Sequence, residues 1–216
     1  MYKLAIFDFD GTLVNSTPGI IDTMRLVKDF YGFDDIFVER WSHMIGISLR
    51  DQTRMLLPDE KPEFQLEVAE KYREFYNLNF LELCPPFEDL EHMLFELNSK
   101  DIKVTIASSK KSYLIEEVLA HLKMESSFKM VIGHDRVLNH KPHPESVSVT
   151  MKGLGHVEAE TVVIGDSIYD LEMAKNAGVD AIGVVTGIHD RDHLAKAQPV
   201  SVVNSLKEVL EVILKG

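Results

Sequence analysis

Cysteine is almost absent from this chain of 216 residues: Cys84 stands alone, so no intramolecular disulfide is possible and a reducing compartment is the simpler expectation. Flanked by Leu83 and Pro85, with no base beside it, the thiol reads as a small apolar filler. Positive charge is scarce as well. Lys and Arg number 23 against 35 Asp and Glu, a formal net charge of -12, which argues against nucleic acid or an anionic membrane as the main partner because both need a basic surface. No apolar run approaches the ~18 residues of a membrane span. No basic-then-apolar stretch opens the sequence either, and a cytoplasmic location is expected. Asn15-Ser16-Thr17 has the form of a glycosylation sequon, but without a secretory route it reads as chance. Repeats and low-complexity segments are missing. What remains, 45% hydrophobic and 27% charged residues, is the composition of a globular chain with room for one full core plus an insertion.

The chain is organised around its opening, MYKLAIFDFDGTLV. Leu4 to Phe7 form an apolar run that reads as a strand buried on both faces, ending abruptly at charge, Gly11 and Thr12. Asp8 and Asp10 therefore sit at the carboxyl end of a buried strand, the edge where open α/β sheets bind ligands. Two acids one residue apart repel each other and resist burial unless a cation or a shared proton joins them, and a hard ion such as Mg²⁺ fits. An Asp-Gly hairpin turn is the alternative. An EF-hand loop is excluded, since the glycine comes too early and no glutamate closes the loop.

After Val14 the pattern turns helical for about seventy residues. Thr17-Pro18 reads as a cap and first-turn pair with Gly32 closing that helix, and further helices are expected near Phe37 to Met44, Ser48 to Leu56 and Pro62 to Phe80. Ser48 with Asp51 resembles a capping box. Cys84-Pro85-Pro86 breaks the pattern. Strands and helices then alternate: a helix near Phe87 to Ser99, strand Ile102 to Ala107, helix Ser112 to Leu122, strand Lys129 to Ile132 and a helix after His143-Pro144. Strand Thr161 to Ile164, helix Tyr169 to Ala177, strand Ala181 to Val185, helix Asp190 to Ala197 and strand Val200 to Val203 follow, and Asn204 is expected to cap the last helix. That alternation predicts an α/β fold with a doubly wound, Rossmann-like parallel sheet.

Three later segments add chemistry-bearing residues. Ser108 ends the strand VTIAS, where its hydroxyl and nearby amides can donate to a phosphate oxygen or simply cap the next helix; adjacent Ser109 leaves the choice open by one residue. Lys141 lies in KPHPE and, by base rate, is a surface lysine. In GDSIYD, Asp166 follows an apolar strand and Asp170 shares its face four residues on. Histidines offer a competing cluster, His134, His140 and His143, with His189 and His193 later. His189 and His193 have the His-x-x-x-His spacing of a zinc pair but start beside a turn, and all five read as solvated or capping residues.

Taken in order, D-x-D-G-T-L-V at Asp8 to Val14, Ser108, Lys141 and Asp166 with Asp170, the sequence resembles the haloacid dehalogenase superfamily of phosphohydrolases over essentially its whole length, and within it the phosphoglycolate phosphatase and pyrophosphatase branch. The resemblance implies a core at 1–14 and 84–216 with an inserted helical cap at 15–83. It implies that Asp8 attacks phosphorus to form an aspartyl-phosphate, that Asp10 protonates the leaving oxygen and then activates water, and that Ser108 and Lys141 bind the phosphoryl group. It also implies Mg²⁺ held by Asp8, the backbone carbonyl of Asp10, Asp166 and Asp170, the last directly or through water. The second acid at position 10 argues against action on a carbon–halogen bond. Gly46-Ile47-Ser48 with Arg50 resembles a cap loop reaching toward the site, so Arg50 is the candidate contact for an anionic leaving group, with the alternative that it and Arg54 only decorate a helix surface; Tyr72 and Arg73 are weaker candidates.

The expected substrate is a small phosphorylated metabolite, phosphoglycolate first and pyrophosphate second, with sugar phosphates and nucleoside monophosphates open, in a monomer or homodimer. Three alternatives stand beside it: β-phosphoglucomutase-like phosphoryl transfer, a receiver-like phospho-acceptor, and a binding protein without turnover. The inserted helical block and the length of the chain count against a receiver.

Overall fold

β1 (Leu4–Phe7) is buried at every residue because both faces of the sheet are covered. Ala5 and Phe7 join one apolar layer while Leu4 and Ile6 join the other, as the two-residue period of a strand requires. The computed structural model describes all 216 residues. Four helices follow β1 before the next strand: α1 (Thr17–Tyr31), α2 (Asp35–Ser42), α3 (Leu49–Leu56) and α4 (Pro62–Asn77). They pack mainly on one another, and no strand forms among them.

From α5 (Leu90–Ser99) onward strand and helix alternate: β2 (Lys103–Ala107), α6 (Ser112–Leu122), β3 (Met130–Ile132), α7 (Glu145–Leu154), β4 (Thr161–Gly165) and α8 (Ile168–Ala177). β5 (Asp180–Val184), α9 (Arg191–Ala195), β6 (Ser201–Val203) and α10 (Leu206–Lys215) complete the chain. The six strands are all parallel in the order β3-β2-β1-β4-β5-β6. The sheet is doubly wound. Leu94, Leu97, Ile115, Val118, Val209 and Ile213 from α5, α6 and α10 cover one face, and Val147, Met151, Leu171, Ala174 and Leu194 from α7, α8 and α9 cover the other. The chain runs from β1 outward to β2 and β3, then crosses to β4 on the opposite side of β1. That reversal opens a crevice at the carboxyl ends of β1, β2 and β4.

Several boundaries differ from the sequence reading, and three of them have a clear local reason. α1 is entered through Ser16 rather than capped by Thr17; Ser16 spends its hydroxyl on Asp10 at 2.7 Å and makes no cap hydrogen bond. α5 starts at Leu90 rather than Phe87, because the returning segment pairs with the start of the chain: Asn15 N–H donates to the Pro85 carbonyl at 2.8 Å, and Phe87 N–H to Leu13 at 3.1 Å. α10 is capped by Ser205, whose hydroxyl accepts from Glu208 N–H, while Asn204 one residue earlier donates its own N–H to the Glu208 carboxylate. At Ser48 the expected capping box is only half formed: the hydroxyl accepts from Asp51 N–H and donates to the Asp51 carboxylate, but that carboxylate takes no bond from Ser48 N–H.

Candidate active site

The loops that leave β1, β2 and β4 converge because those strands are neighbours in the sheet. Asp8 extends the β1 ladder one step, its N–H donating to the Ile164 carbonyl at 2.8 Å, which anchors the carboxylate at the crevice. Asp166 follows β4, and Asp170 lies in the first turn of α8. Oxygens of Asp8, Asp166 and Asp170 fall within 4.8 Å of one another, and all three residues are buried. Lys141 arrives from the long loop after β3 and donates from Nζ to Asp8 at 2.7 Å and to Asp170 at 2.5 Å.

Each acid is held differently. Asp166 accepts from the Thr12 hydroxyl at 2.8 Å and from Ile188 N–H at 3.1 Å. Asp170 is also the N3 partner of a capping box with Ser167, so both its oxygens are engaged, one by Ser167 and one by Lys141. Asp8 has one oxygen on Lys141 and no hydrogen bond to the other. Glycine is required around Asp166, since a Cβ at Gly187 would lie 1.8 Å from its Oδ2 and one at Gly11 2.6 Å from the same atom. Gly11 also holds a left-handed φ of 77°.

Three buried carboxylates with a single ammonium between them leave uncompensated negative charge. Burial raises the Asp8 carboxyl to about 6, with Lys141 opposing and Asp170 adding to the rise. Burial, then Asp8 and Asp170, push Asp166 well above the usual range. Burial pulls the Lys141 ammonium down, but Asp170 and Asp8 more than offset it and the net shift is upward. A hard oxygen donor set with excess negative charge suits a divalent cation of the Mg²⁺ kind. The Asp10 carbonyl, which accepts no hydrogen bond, is available to the same site.

The Asp10 carboxylate does not join this cluster. It accepts from the Ser16 hydroxyl at 2.7 Å and from Lys110 Nζ at 2.9 and 3.1 Å. Lys110, a residue the sequence reading passed over, has a side chain only 7% exposed and also donates to Tyr76 Oη in α4 at 2.7 Å. The signal was present as a lysine two residues beyond Ser108, but nothing local announces that a lysine will be buried against an acid 100 residues away. Ser108 and Ser109 separate cleanly: the Ser109 hydroxyl donates to the Gly46 carbonyl at 2.7 Å, tying the loop after β2 to the helical block, while the Ser108 hydroxyl accepts from Lys110 N–H at 3.3 Å.

Asp8, Asp10, Asp166 and Ser108 line one cavity of about 130 Å³, together with Gly46, Ile47, Leu49 and Gln52 of the helical block. Lys141 and Asp170 lie beneath it. Arg50 is exposed and does not reach the cavity; α3 turns Gln52 inward, and a position two residues earlier points to nearly the opposite side of a helix. Arg54 pairs with Asp51 on the surface. Tyr72, Arg73 and His134 do line the cavity. No histidine joins a three-ligand cluster. His189 Nδ1 accepts from Ile168 N–H at the start of α8, His143 Nδ1 accepts from Glu145 N–H, and His193 stacks on His189 at 4.3 Å. Cys84 is buried beside Tyr76 Oη at 3.3 Å.

A parallel doubly wound sheet whose first strand delivers an aspartate pair to its carboxyl edge, facing a lysine and a second acidic pair, defines a recognisable class of enzyme. Residues 5–184 match the family of haloacid dehalogenase-like hydrolases, and the chain belongs to that family. Pyrophosphatase PpaX of Listeria welshimeri is 30% identical over 209 residues, covering 96% of this chain and 94% of its own. The Dickeya dadantii protein named "Probable phosphatase IndB" is 33% identical over 215 residues, covering 97% and 93%. Among solved structures, a haloacid dehalogenase-like hydrolase from Bacteroides fragilis superimposes with a TM-score of 0.91 at 25% identity, over 97% of this chain and 100% of that one.

Proposed function

We propose that the protein is a phosphatase that cleaves a small phosphorylated substrate, phosphoglycolate or pyrophosphate, through an aspartyl-phosphate at Asp8. The observation that carries this reading is the state of Asp8: buried at the end of β1, one oxygen held by Lys141 and the other without a hydrogen bond, in the same cavity as Asp10 and Ser108. The free oxygen forms the bond to phosphorus as the bond to the leaving oxygen breaks, which divides one displacement into two. Lys141 fixes the nucleophile and offsets charge on the phosphoryl oxygens. Asp10 gives a proton to the leaving oxygen and later takes one from the water that attacks phosphorus; Ser16 and Lys110 hold its carboxylate in orientation. The Ser108 hydroxyl donates to a phosphoryl oxygen. Asp8, Asp166, Asp170 and the Asp10 carbonyl are the residues that would hold Mg²⁺, which when bound supplies further charge neutralisation at the phosphoryl group.

The helical block 15–83 acts as the cap over this site, with Gly46 to Gln52 and α4 forming the side of the cavity that faces the leaving group. A cavity of about 130 Å³, bounded by the helical block on one side, suits a compact substrate. The names of the PpaX relatives support pyrophosphate as one of the two.

The test is inorganic phosphate release from pyrophosphate, phosphoglycolate, sugar phosphates and nucleoside monophosphates, with and without Mg²⁺. Metal-dependent release that disappears in Asp8→Asn is the expected result. Release that survives in that variant would overturn the assignment of the nucleophile, and transfer to sugar without net release would place the protein with the mutases.

A further inference from the structure

Two of the four basic side chains at the site are already neutralised within it. Lys141 is committed to Asp8 and Asp170, and Lys110 to Asp10. The other two are not. Lys111 pairs with no carboxylate, and its ammonium lies 5.9 Å from the ring centroid of Tyr113. Arg73 reaches the cavity from α4, and its ion-pair partner is Glu70 on its own helix.

His134, from the loop after β3, lines the same cavity. Its Nδ1 is buried without a hydrogen-bond partner, and its ring packs edge-on against His140 at 4.0 Å. Burial and His140 disfavour its protonated form, and Arg73 and Lys111 push the same way, so the neutral ring is favoured and offers an anion a ring N–H rather than a charge. The acid nearest in sequence, Asp135, opposes them only partly, since its carboxylate is engaged by Ser112 N–H at 2.6 Å. Lys111, at the N-cap of α6, and Tyr113 and Leu114 in its first turn also line this end; the helix terminus itself is already met by Asp135, which accepts from Ser112 N–H. In a chain with a net charge of -12, a pocket end that carries Lys111, which pairs with no carboxylate, and Arg73, whose one ion-pair partner Glu70 is largely exposed, focuses attraction for an anion.

We propose that Arg73, Lys111 and His134 form a second anion subsite that receives a negatively charged leaving group, so that the preferred substrates are phosphates carrying a second phosphate or carboxylate close by. This rests on the phosphatase reading above and narrows its substrate class. The reacting phosphoryl group meets Asp8 and Ser108 at the sheet edge, while the second acidic group meets Lys111 and Arg73. Phosphate esters of neutral alcohols would leave Lys111 unpaired and are disfavoured accordingly.

The test compares kcat/KM for pyrophosphate and phosphoglycolate with that for phenyl phosphate, whose leaving group is a neutral phenol. Lys111→Met is expected to lower the preference for the two substrates that carry a second acidic group by about tenfold or more, chiefly through KM, as loss of one charge-assisted contact implies. Lys111→Arg should retain the preference, and Arg73→Gln should lower it in the same direction. In parallel, the non-hydrolysable diphosphate analogue imidodiphosphate is titrated calorimetrically into Asp8→Asn protein, with and without Lys111→Met, after circular dichroism has established that both are folded. Binding weaker by about tenfold in the double variant is expected. An equal fall on all substrates, no fall on any, or imidodiphosphate binding indifferent to both Lys111→Met and Arg73→Gln would overturn the subsite. Absence of phosphate release from every compound would remove the phosphatase reading, and the titration would still decide the subsite by itself.

Discussion

At the scale of single residues, the site is a problem of placing negative charge in a buried crevice. Asp166 is held between a hydroxyl, a backbone N–H and two glycines, and a methyl group at residue 187 would occupy the space of its Oδ2. Gly187→Ala is therefore expected to displace that carboxylate and weaken Mg²⁺ binding by about tenfold or more, the scale seen when support around a metal ligand is lost; calorimetric titration of Mg²⁺ measures it, and unchanged affinity would mean Asp166 is not a ligand. The raised carboxyls make a second prediction. Asp8 lies near 6 against an ordinary 3.8, and Asp166 is raised too, so the folded state holds protons that the unfolded state has released. Stability of the metal-free protein then falls from these groups as pH climbs from about 4 to about 6. His189 acts oppositely: burial lowers it to about 4 from 6.5, and its contribution rises over that window. Metal must meet ionised carboxylates, so the increase in Tm on adding Mg²⁺ should be larger at about pH 7.5 than at about pH 5. Taking the difference between loaded and metal-free protein cancels His189. Equal increases at both pH values would point to a metal bound elsewhere.

At the scale of elements, short polar signals mark where helices begin, and their energies are small but measurable. By accepting from Asp51 N–H, the Ser48 hydroxyl caps the start of α3, the helix that brings Gln52 to the cavity, where it accepts from Trp41 Nε1 and donates to the Ile47 carbonyl, both at 2.8 Å. Ser48→Ala is expected to cost about 1 kcal/mol, read as a lower urea midpoint with an unchanged m-value; a change in m would mean that the helical block had loosened rather than lost a cap. Capping was legible in the sequence at Ser48 because the motif is local. It was misread at Thr17 and Asn204 because the choice between adjacent polar residues depends on outside partners: Asp10 takes the Ser16 hydroxyl, and Ser205 rather than Asn204 faces Glu208 N–H.

At the scale of the molecule, the helical block and the sheet share one continuous apolar core. Val27, Trp41, Val68 and Tyr72 belong to the same buried cluster as Phe7, Ile106 and Ile164. Such continuity predicts a single cooperative transition. Trp41, the only tryptophan and fully buried in α2, reports on the helical block, while far-UV circular dichroism reports on the whole chain. The two unfolding curves should coincide; an earlier fluorescence transition would mean that the block melts independently of the sheet.

The sequence by itself determined the parallel architecture, the run of helices between β1 and β2, and the identity of the acids at the sheet edge. Each of these is written in local signals: apolar runs, turn residues, and charges placed immediately after buried strands. Tertiary structure alone decided which side chains meet. Lys110 found Asp10 across 100 residues, Asp10 turned away from the other three acids, Arg50 faced solvent while Arg73 entered the cavity, and Gly187 made room for Asp166. Those outcomes depend on strand order and on which face each helix buries, and neither is encoded within any window of neighbouring residues.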